Sequence, residues 1–575
     1  MNYTLSLTRH TAETLHGHLL GDRSREQMAV TLCGVNRLHR ELRLLVRDVI
    51  LLPADAFRPQ SAAHLELKPE VQAFIHARAH RHGLIEVDWH SHPGAGPTIA
   101  FSGTDDRFEA AQAAYLAQRM DGVPYGSVVV NDDALDARLW LSDPAGTRPA
   151  GAKHRNGKAE PGPTHTAPPV AQPLQAILIG DLARRIPVTA QRLNRAHAPF
   201  VSPVFDRQVR AFGPDVQRRL STLRVGVIGA GGLGSALVAH LARLGVARWV
   251  LVDPDVVELT NLNRLVGASV ADAQRARPKV YVARSTIRQA VPKATVRALK
   301  TDVFDPCAQR ALKACDLLIV ATDNHSSRMA ANRLAVQYLI PLVHAGFNVS
   351  VDPTGDPASA RGGSGVGVRR VTDVSGEFAI PDLGRWCLQC AGIVDPQAAG
   401  WELASPAQRA ILRQRGYVAD TPAPAVGHLD GVVAALAAAE IHNLVAAFKP
   451  QHRYLTYDAL KAELVPLSVG GSAHKVAAQA ACPVCSPDDG VLGLGDLEPL
   501  PDYRRAAQAQ LPAPAQLPPR ATGPAPIDLP APSPAGPAAT PPAGPAPAPE
   551  LVEVRPARVR RLQEALVETE LDWRE

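Results

Sequence analysis

Apolar and polar residues alternate along this chain with two different periods, and the change of period marks its elements. Met28 to Leu32 and Leu42 to Leu51 are runs of branched apolar residues of the kind that form strands. Leu5 to Thr8, Leu84 to Trp89, Tyr125 to Val130 and Ala137 to Leu141 read the same way. Helical spacing places Val71, Phe74, Ile75 and Ala79 on one face, and predicts further helices over Ala12 to Leu20 and Asp105 to Met120. Residues 1–142 are therefore expected to form one α+β unit. Residues 143–170 turn to Pro, Gly and Ala with isolated charges, the composition of a linker. Residues 171–204 are a connector: Gln172 to Pro199 predicts a short strand and helix with no domain assigned. From Phe205 the strand RVGVI, a helix and the strand RWVLV open a strand–helix alternation, which predicts a mostly parallel sheet of the Rossmann kind over 205–490. Residues 491–550 are rich in Pro and Ala and predict a disordered tail, and 551–575 an amphipathic helix with Val559, Leu562, Leu566 and Trp573 on one face.

Composition narrows the function classes. With 575 residues, two or three cores are expected. A formal charge of +6 is small for that length and argues against a dedicated nucleic-acid binder. By the sequence alone, no apolar run is long and uncharged enough to span a bilayer, and MNYTLSLTRHTAETL lacks the pattern of a secretion signal. A cytoplasmic enzyme without membrane or nucleic-acid partners is the expectation. Four of the seven cysteines form two C-x-x-C pairs, Cys387/Cys390 and Cys482/Cys485, which in the cytoplasm read as metal ligands.

The strand EVDWHSHP sets His90 and His92 two residues apart, so both imidazoles leave the strand on one side. Ser102-x-x-Asp105 follows at a helix start; alone it is a capping box, but beside the histidines Asp105 completes two nitrogens and a carboxylate. Such a set leaves a fourth position of zinc open for water, and Glu26, just ahead of the strand MAVTLC, can act as base on it. The order Glu, H-S-H-P, S-x-x-D resembles the JAMM (MPN-plus) metalloproteases, whose fold is α+β and cytidine-deaminase-like. That resemblance implies His90, His92 and Asp105 as zinc ligands, Glu26 as proton carrier and Ser102 as a stabiliser of the tetrahedral oxyanion.

The second constellation begins at VGVIGAGGLGS, where Gly229, Gly231, Gly232 and Gly234 stand between a strand and a helix. Asp253 at the end of the next strand can hold ribose hydroxyls, and to this point an NAD-dependent oxidoreductase fits equally well. The run DPDVVELTNLNR adds Asp255, Asn261 and Arg264, ARPKV adds Lys279, IVATDN adds Asp323 and FDRQVRAFG adds Arg207. Several cations around one nucleotide suit a triphosphate, and an aspartate can hold Mg²⁺. This ordered set resembles the ThiF/MoeB family of activating enzymes. The resemblance implies ATP with Mg²⁺ as cofactor and a ubiquitin-like or sulfur-carrier protein ending in glycine as partner. It also implies adenylation of that glycine, and a homodimer in which Arg207 reaches the neighbouring site.

The two C-x-x-C pairs imply a closed, structural Cys₄ zinc. Many relatives carry an acceptor cysteine between the first pair and the late helix, Val432 to Leu444 here, yet Ala391 to Asp430 contains none. The chain is thus expected to stop at the adenylate or to pass the acyl group to a partner such as a conjugating enzyme. Two readings stand at this point: both halves are enzymes, or one half only presents the ubiquitin-like protein to the other.

Overall fold

The computed structural model describes residues 1–58, 66–94, 96, 98–119, 122–142, 168–180, 184–188, 202–351, 371–414, 424–467, 482–486, 488–503 and 560–561. The first unit runs β1 (Asn2–Leu7), α1 (Arg9–Leu19), β2 (Met28–Leu38), β3 (Glu41–Leu51), α2 (Pro69–His82), β4 (Ile85–Ser91), α3 (Gly103–Arg119), β5 (Tyr125–Val130) and β6 (Leu135–Leu141). It then adds β7 (Val170–Pro173), β8 (Ala176–Ile179) and β9 (Arg184–Pro187). The strands lie in the order β7-β6-β5-β4-β2-β3-β1-β8-β9. The stretch left unassigned by the sequence therefore contributes strands to both edges of the first sheet. Alternation along β2 sends Ala29, Cys33 and Val35 toward α1, and Met28, Val30 and Leu32 toward α2 and α3.

The second unit begins with α4 (Asp206–Phe212), α5 (Pro214–Thr222), β10 (Arg224–Ile228), α6 (Gly232–Arg243) and β11 (Arg248–Val252). It continues through α7 (Val270–Gln274), α8 (Lys279–Ala290), β12 (Thr295–Leu299), α9 (Pro306–Leu312), β13 (Leu317–Val320), α10 (His325–Tyr338) and β14 (Leu342–Val351). It closes with β15 (Val371–Ala379), α11 (Pro396–Glu402), α12 (Pro406–Gln414), α13 (Gly427–Ala446), β16 (Tyr454–Asp458) and β17 (Glu463–Pro466). Strands β12-β11-β10-β13-β14 are parallel, and β15, β16 and β17 add antiparallel partners. Val225, Val227, Leu317 and Ile319 face the α6 and α13 side, whereas Ile228, Leu318 and Val320 face α10, so both sides of the sheet are covered.

Three expectations change here. Helix α13 has the length and apolarity to cross a membrane, unlike the reading from sequence, but 61% of that window is buried. Its Val433, Ala434, Ala437 and Ile441 pack in the core with Leu237 and Phe378, which accounts for its composition. Val491 to Tyr503, expected to begin the disordered tail, instead form an ordered strap, because Val491, Leu492 and Tyr503 are buried apolar anchors. Of the helix expected over 551–575 only Arg560–Arg561 are described; they pair as a two-residue strand with Ile50 and Leu51. Most of the linker 143–170 likewise lies outside the described residues.

Candidate functional site

At the upper end of the first sheet, Met28 pairs with His90, and the Ser91 hydroxyl accepts the Gln27 N–H at 2.9 Å. This pairing carries Glu26 to the histidines: its Oε1 lies 3.9 Å from His92 Nε2. The first turn of α3 delivers Asp105 from the other side. Ser102 N–H donates to Asp105 Oδ2 at 2.5 Å and Asp105 N–H donates to Ser102 Oγ at 3.2 Å, a reciprocal cap that holds the carboxylate rigid. Ser102 thus has the capping role in addition to any role in chemistry.

His90 Nε2 stands 3.5 Å from Asp105 Oδ1, and His92 Nε2 stands 3.6 Å from Asp105 Oδ2. Two ligands on a tetrahedral ion with bonds near 2.05 Å should be about 3.4 Å apart. His90 Nε2 is buried with no hydrogen-bond partner among the described residues, which suits a nitrogen that ligates a metal ion. Burial works to raise the Asp105 carboxyl, but His90 and the Ser102 donors outweigh it and hold it well below the usual range. Burial and the neighbouring His90 push the His92 imidazole down toward its neutral, ligating form. The Phe101 ring lies 6.1 Å from the His90 ring, and the Arg138 guanidinium sits over the Phe101 ring at 3.8 Å.

In the second unit, the glycine-rich turn joins β10 to α6. Gly229 has φ +93, and a side chain there would strike the Ala321 carbonyl. The N-cap of α6 is Gly231, which has no side chain to cap the helix, so the amides of its first turn are directed at whatever anion approaches that end. Asp253 receives two backbone amides, Ala230 N–H at 2.6 Å and Asp255 N–H at 2.8 Å, and burial raises its carboxyl despite them. Lys279 begins α8 and its Nζ bonds Asp255 Oδ2 at 2.8 Å. Asn261 Oδ1 accepts the Glu258 N–H at 3.1 Å, while Arg264 Nη1 donates to Thr260 O at 2.9 Å. A Cβ on Gly232 would lie 3.1 Å from Arg264 Cγ and Cδ, which sets that arginine directly against the loop. Asp323 lies exposed after β13, in a turn whose Thr322 carbonyl accepts both Arg328 Nε at 3.1 Å and Nη2 at 2.9 Å.

Arg207 is not brought to this group within one chain. Its neighbour Gln208 bonds the Leu244 carbonyl at 3.0 Å, at the far end of α6 from the glycine turn. Twelve residues of helix make that about 18 Å.

Two residues escaped the reading from sequence. Arg328, which clamps the turn carrying Asp323, is one. Asp430 is the other: it is 5% exposed, in the first turn of α13, and its Oδ2 lies 2.2 Å from where a Gly232 Cβ would be. An acid in the first turn of a mostly apolar helix was the available signal.

The four paired cysteines come together below the second sheet. Their sulfurs lie 3.8 Å apart for Cys387–Cys390 and Cys387–Cys482, and 3.5 Å for Cys390–Cys485. Bonds of 2.3 Å to a tetrahedral zinc give about 3.8 Å. All four are buried, so this candidate site is closed.

The ThiF family matches residues 205–484, and the family of prokaryotic homologs of the JAB domain matches residues 8–141. A SAMP-activating enzyme E1 of Haloferax volcanii is 36% identical over 132 residues, 23% of this chain and 48% of the relative. The sulfur carrier protein adenylyltransferase of Thermus thermophilus is 35% identical over 155 residues, 27% of this chain and 54% of the relative. Protein HesA of Leptolyngbya boryana is 23% identical over 301 residues, 52% of this chain and 87% of its own. The chain spans about half the length of the first two of these. It therefore joins two family domains, a prokaryotic homolog of the JAB domain over residues 8–141 and a ThiF-family domain over residues 205–484.

Proposed function

We propose that the ThiF-family domain adenylates the C-terminal glycine of a ubiquitin-like or sulfur-carrier protein, and that the JAB-like domain hydrolyses the bond beyond such a glycine, in a precursor or a conjugate. The observation that carries the first half is the meeting of an uncapped α6 N-terminus with Arg264, Lys279 and Asp323 at one end of a parallel sheet. Backbone amides of Gly229 to Gly234 take the phosphates and Asp253 the ribose. Asp255, Asn261, Arg264 and Lys279 line the triphosphate, and Lys279 exchanges its bond with Asp255 for a phosphate oxygen. Asp323 would hold Mg²⁺, which would offset charge on the phosphates. The glycine carboxylate attacks the α-phosphorus and pyrophosphate leaves, with catalysis supplied by positioning and charge neutralisation. Arg207 serves the site of a second copy, since about 18 Å of helix separates it from its own.

In the JAB-like domain, His90, His92 and Asp105 would hold a zinc ion, which would supply a bound water of lowered pKa. Glu26, beside His92, would take up a proton and deliver it to the leaving amine, and Ser102 would steady the oxyanion. The relatives named for sulfur-carrier and SAMP activation support the choice of partner. The setting is cytoplasmic.

The test is ATP–pyrophosphate exchange with a sulfur-carrier protein ending in glycine. Exchange should depend on that protein and disappear in Lys279→Ala and Asp323→Ala. Binding of NAD with no ATP turnover across a panel of such proteins would refute the reading.

A further inference from the structure

The two domains are joined back to back. On the first sheet the seam lies at the end of β2 away from His90: Asn36 Nδ2 donates to Lys313 O at 2.9 Å, Arg37 N–H donates to Asp496 Oδ2 at 2.7 Å, and Val35 bridges Gly495. On the second sheet it lies at the N-terminal ends of the parallel strands, where Lys313 and Asp316 precede β13 and Leu339 precedes β14. The glycine turn, Asp253 and Asp323 all follow the C-terminal ends of β10, β11 and β13. Each site is therefore at the end of its own sheet that faces away from the other domain.

The seam is also stiff. The strap after Cys485 threads between the domains: Arg47 Nη1 donates to Gly490 O at 3.1 Å and Leu492 O at 2.8 Å, and Gln337 Nε2 donates to Gly495 O at 2.8 Å and Glu498 O at 2.7 Å. A Cβ on Gly34 would lie 2.1 Å from Gly493 O, so the backbones touch there. Eight residue steps of β2, Asn36 to Met28, span about 27 Å, and β13 adds about 13 Å, so strands laid end to end separate the sites by up to roughly 40 Å.

We propose that no substrate is handed from one site to the other within a chain: whatever leaves the JAB-like site of a chain passes through solvent before it reaches the ThiF-family site of that same chain. This rests on the function proposed above. Hydrolysis adds water across the bond after the terminal glycine, leaving a carboxylate and an amine. The carboxylate must then dissociate, turn and bind a second time before it attacks ATP and releases pyrophosphate.

A tethered handover acts at an effective concentration in the millimolar range, so at about 1 μM enzyme it would outrun free diffusion by roughly a hundredfold or more. The experiment feeds a sulfur-carrier protein, extended by a short peptide after its last glycine, to wild type or to an equimolar mixture of His90→Ala/His92→Ala and Lys279→Ala chains. Site concentrations are matched, and trimming of the extended protein and adenylation of the mature one are assayed separately to check the underlying reading. Adenylate formation from the extended protein should be equal within about twofold in the two cases, against the hundredfold expected of a handover. A wild-type advantage approaching that size, resistant to added unlabelled mature protein, overturns the proposal. A second measurement needs neither substrate nor activity: nitroxides on Thr104→Cys and Thr260→Cys in full-length Cys307→Ala chain, diluted with unlabelled chain. A single spin–spin distance of about 40 Å supports the fixed outward arrangement, and one below about 25 Å overturns it.

Discussion

Asp253 Oδ2 accepts the backbone N–H of Ala230 at 2.6 Å, tying the end of one strand to the middle of the glycine turn that follows another. The same carboxylate holds the Asp255 amide at 2.8 Å, and Asp255 in turn pairs with Lys279. One buried side chain therefore sets the shape of the loop and the position of its nearest cation.

From this follows the first prediction. Asp253→Ala leaves two amides unpaired near a buried position and should lower stability by about 2–4 kcal/mol. Denaturant midpoints of the full chain check it, and nucleotide affinity should fall in parallel as the loop loosens. An unchanged midpoint would show that the turn is held by other means.

The second concerns metal content. Each chain should hold two ions, one at His90, His92 and Asp105 and one at the four cysteines. His90→Ala with His92→Ala should remove one ion and leave the unfolding of the ThiF-family domain unchanged. Stripping the cysteine site should destabilise that domain, because the two knuckles join segments 95 residues apart. Elemental analysis beside calorimetry reads both, and a single ion that persists in the double variant would refute the first site.

The third concerns pH. Burial lifts the Asp430 carboxyl to about 6, against the lowering effect of Arg264. A raised folded pKa favours the protonated native state, so this group's stabilisation is complete below about pH 4 and lost as pH rises through 6. At pH 8 Asp430→Asn should be more stable than wild type, by up to about 3 kcal/mol for a shift of two pH units. ATP should also bind Asp430→Asn more tightly at pH 8, because an ionised carboxylate at the α6 N-terminus repels phosphate. Titration calorimetry at pH 5 and 8 should find wild type weakening as pH rises and the variant nearly flat.

The fourth is that no cysteine of this chain carries an essential thioester. Burial pushes the Cys33 thiol up to about 12 and the Cys315 thiol higher still, so neither offers a thiolate near neutrality. Cys307 is half-buried and its sulfur accepts Arg297 Nη2 at 3.1 Å. Pyrophosphate exchange should survive Cys33→Ala, Cys307→Ala and Cys315→Ala together, with folding checked by circular dichroism. A reductant-sensitive adduct on a non-reducing gel that one of these changes abolishes would show that the acyl group does reach this chain.

The fifth tests the seam. Asp496 Oδ1 accepts Lys313 Nζ at 2.6 Å and Tyr338 OH at 2.8 Å, while Oδ2 accepts the Arg37 amide. Asp496→Ala with Arg47→Ala should loosen the strap by about 2–4 kcal/mol and expose residues 486–503 to protease, with both isolated activities retained. Cleavage no faster than in wild type would mean that apolar contacts alone hold the strap.

Local chemistry was legible in the sequence because it depends on neighbours a few residues apart. Period two along EVDWHSHP put both imidazoles on one side, Ser102-x-x-Asp105 made its own cap, and glycines at 229, 231 and 234 could only serve a tight turn into a helix. The strand and helix periods likewise gave away most elements of the two sheets, since side chains repeat every two residues along a strand and every 3.6 along a helix. Tertiary structure alone decided what depends on residues far apart meeting. It brought Asp430 to Gly232 across 198 positions, set Arg207 at the wrong end of α6 for its own site, and recruited Val170–Pro173 to one edge of the first sheet and Ala176–Ile179 and Arg184–Pro187 to the other. It also turned the start of a Pro-rich tail into a strap. No local period announces such meetings, because the free energy that selects them comes from surfaces complementary only after each sheet has formed.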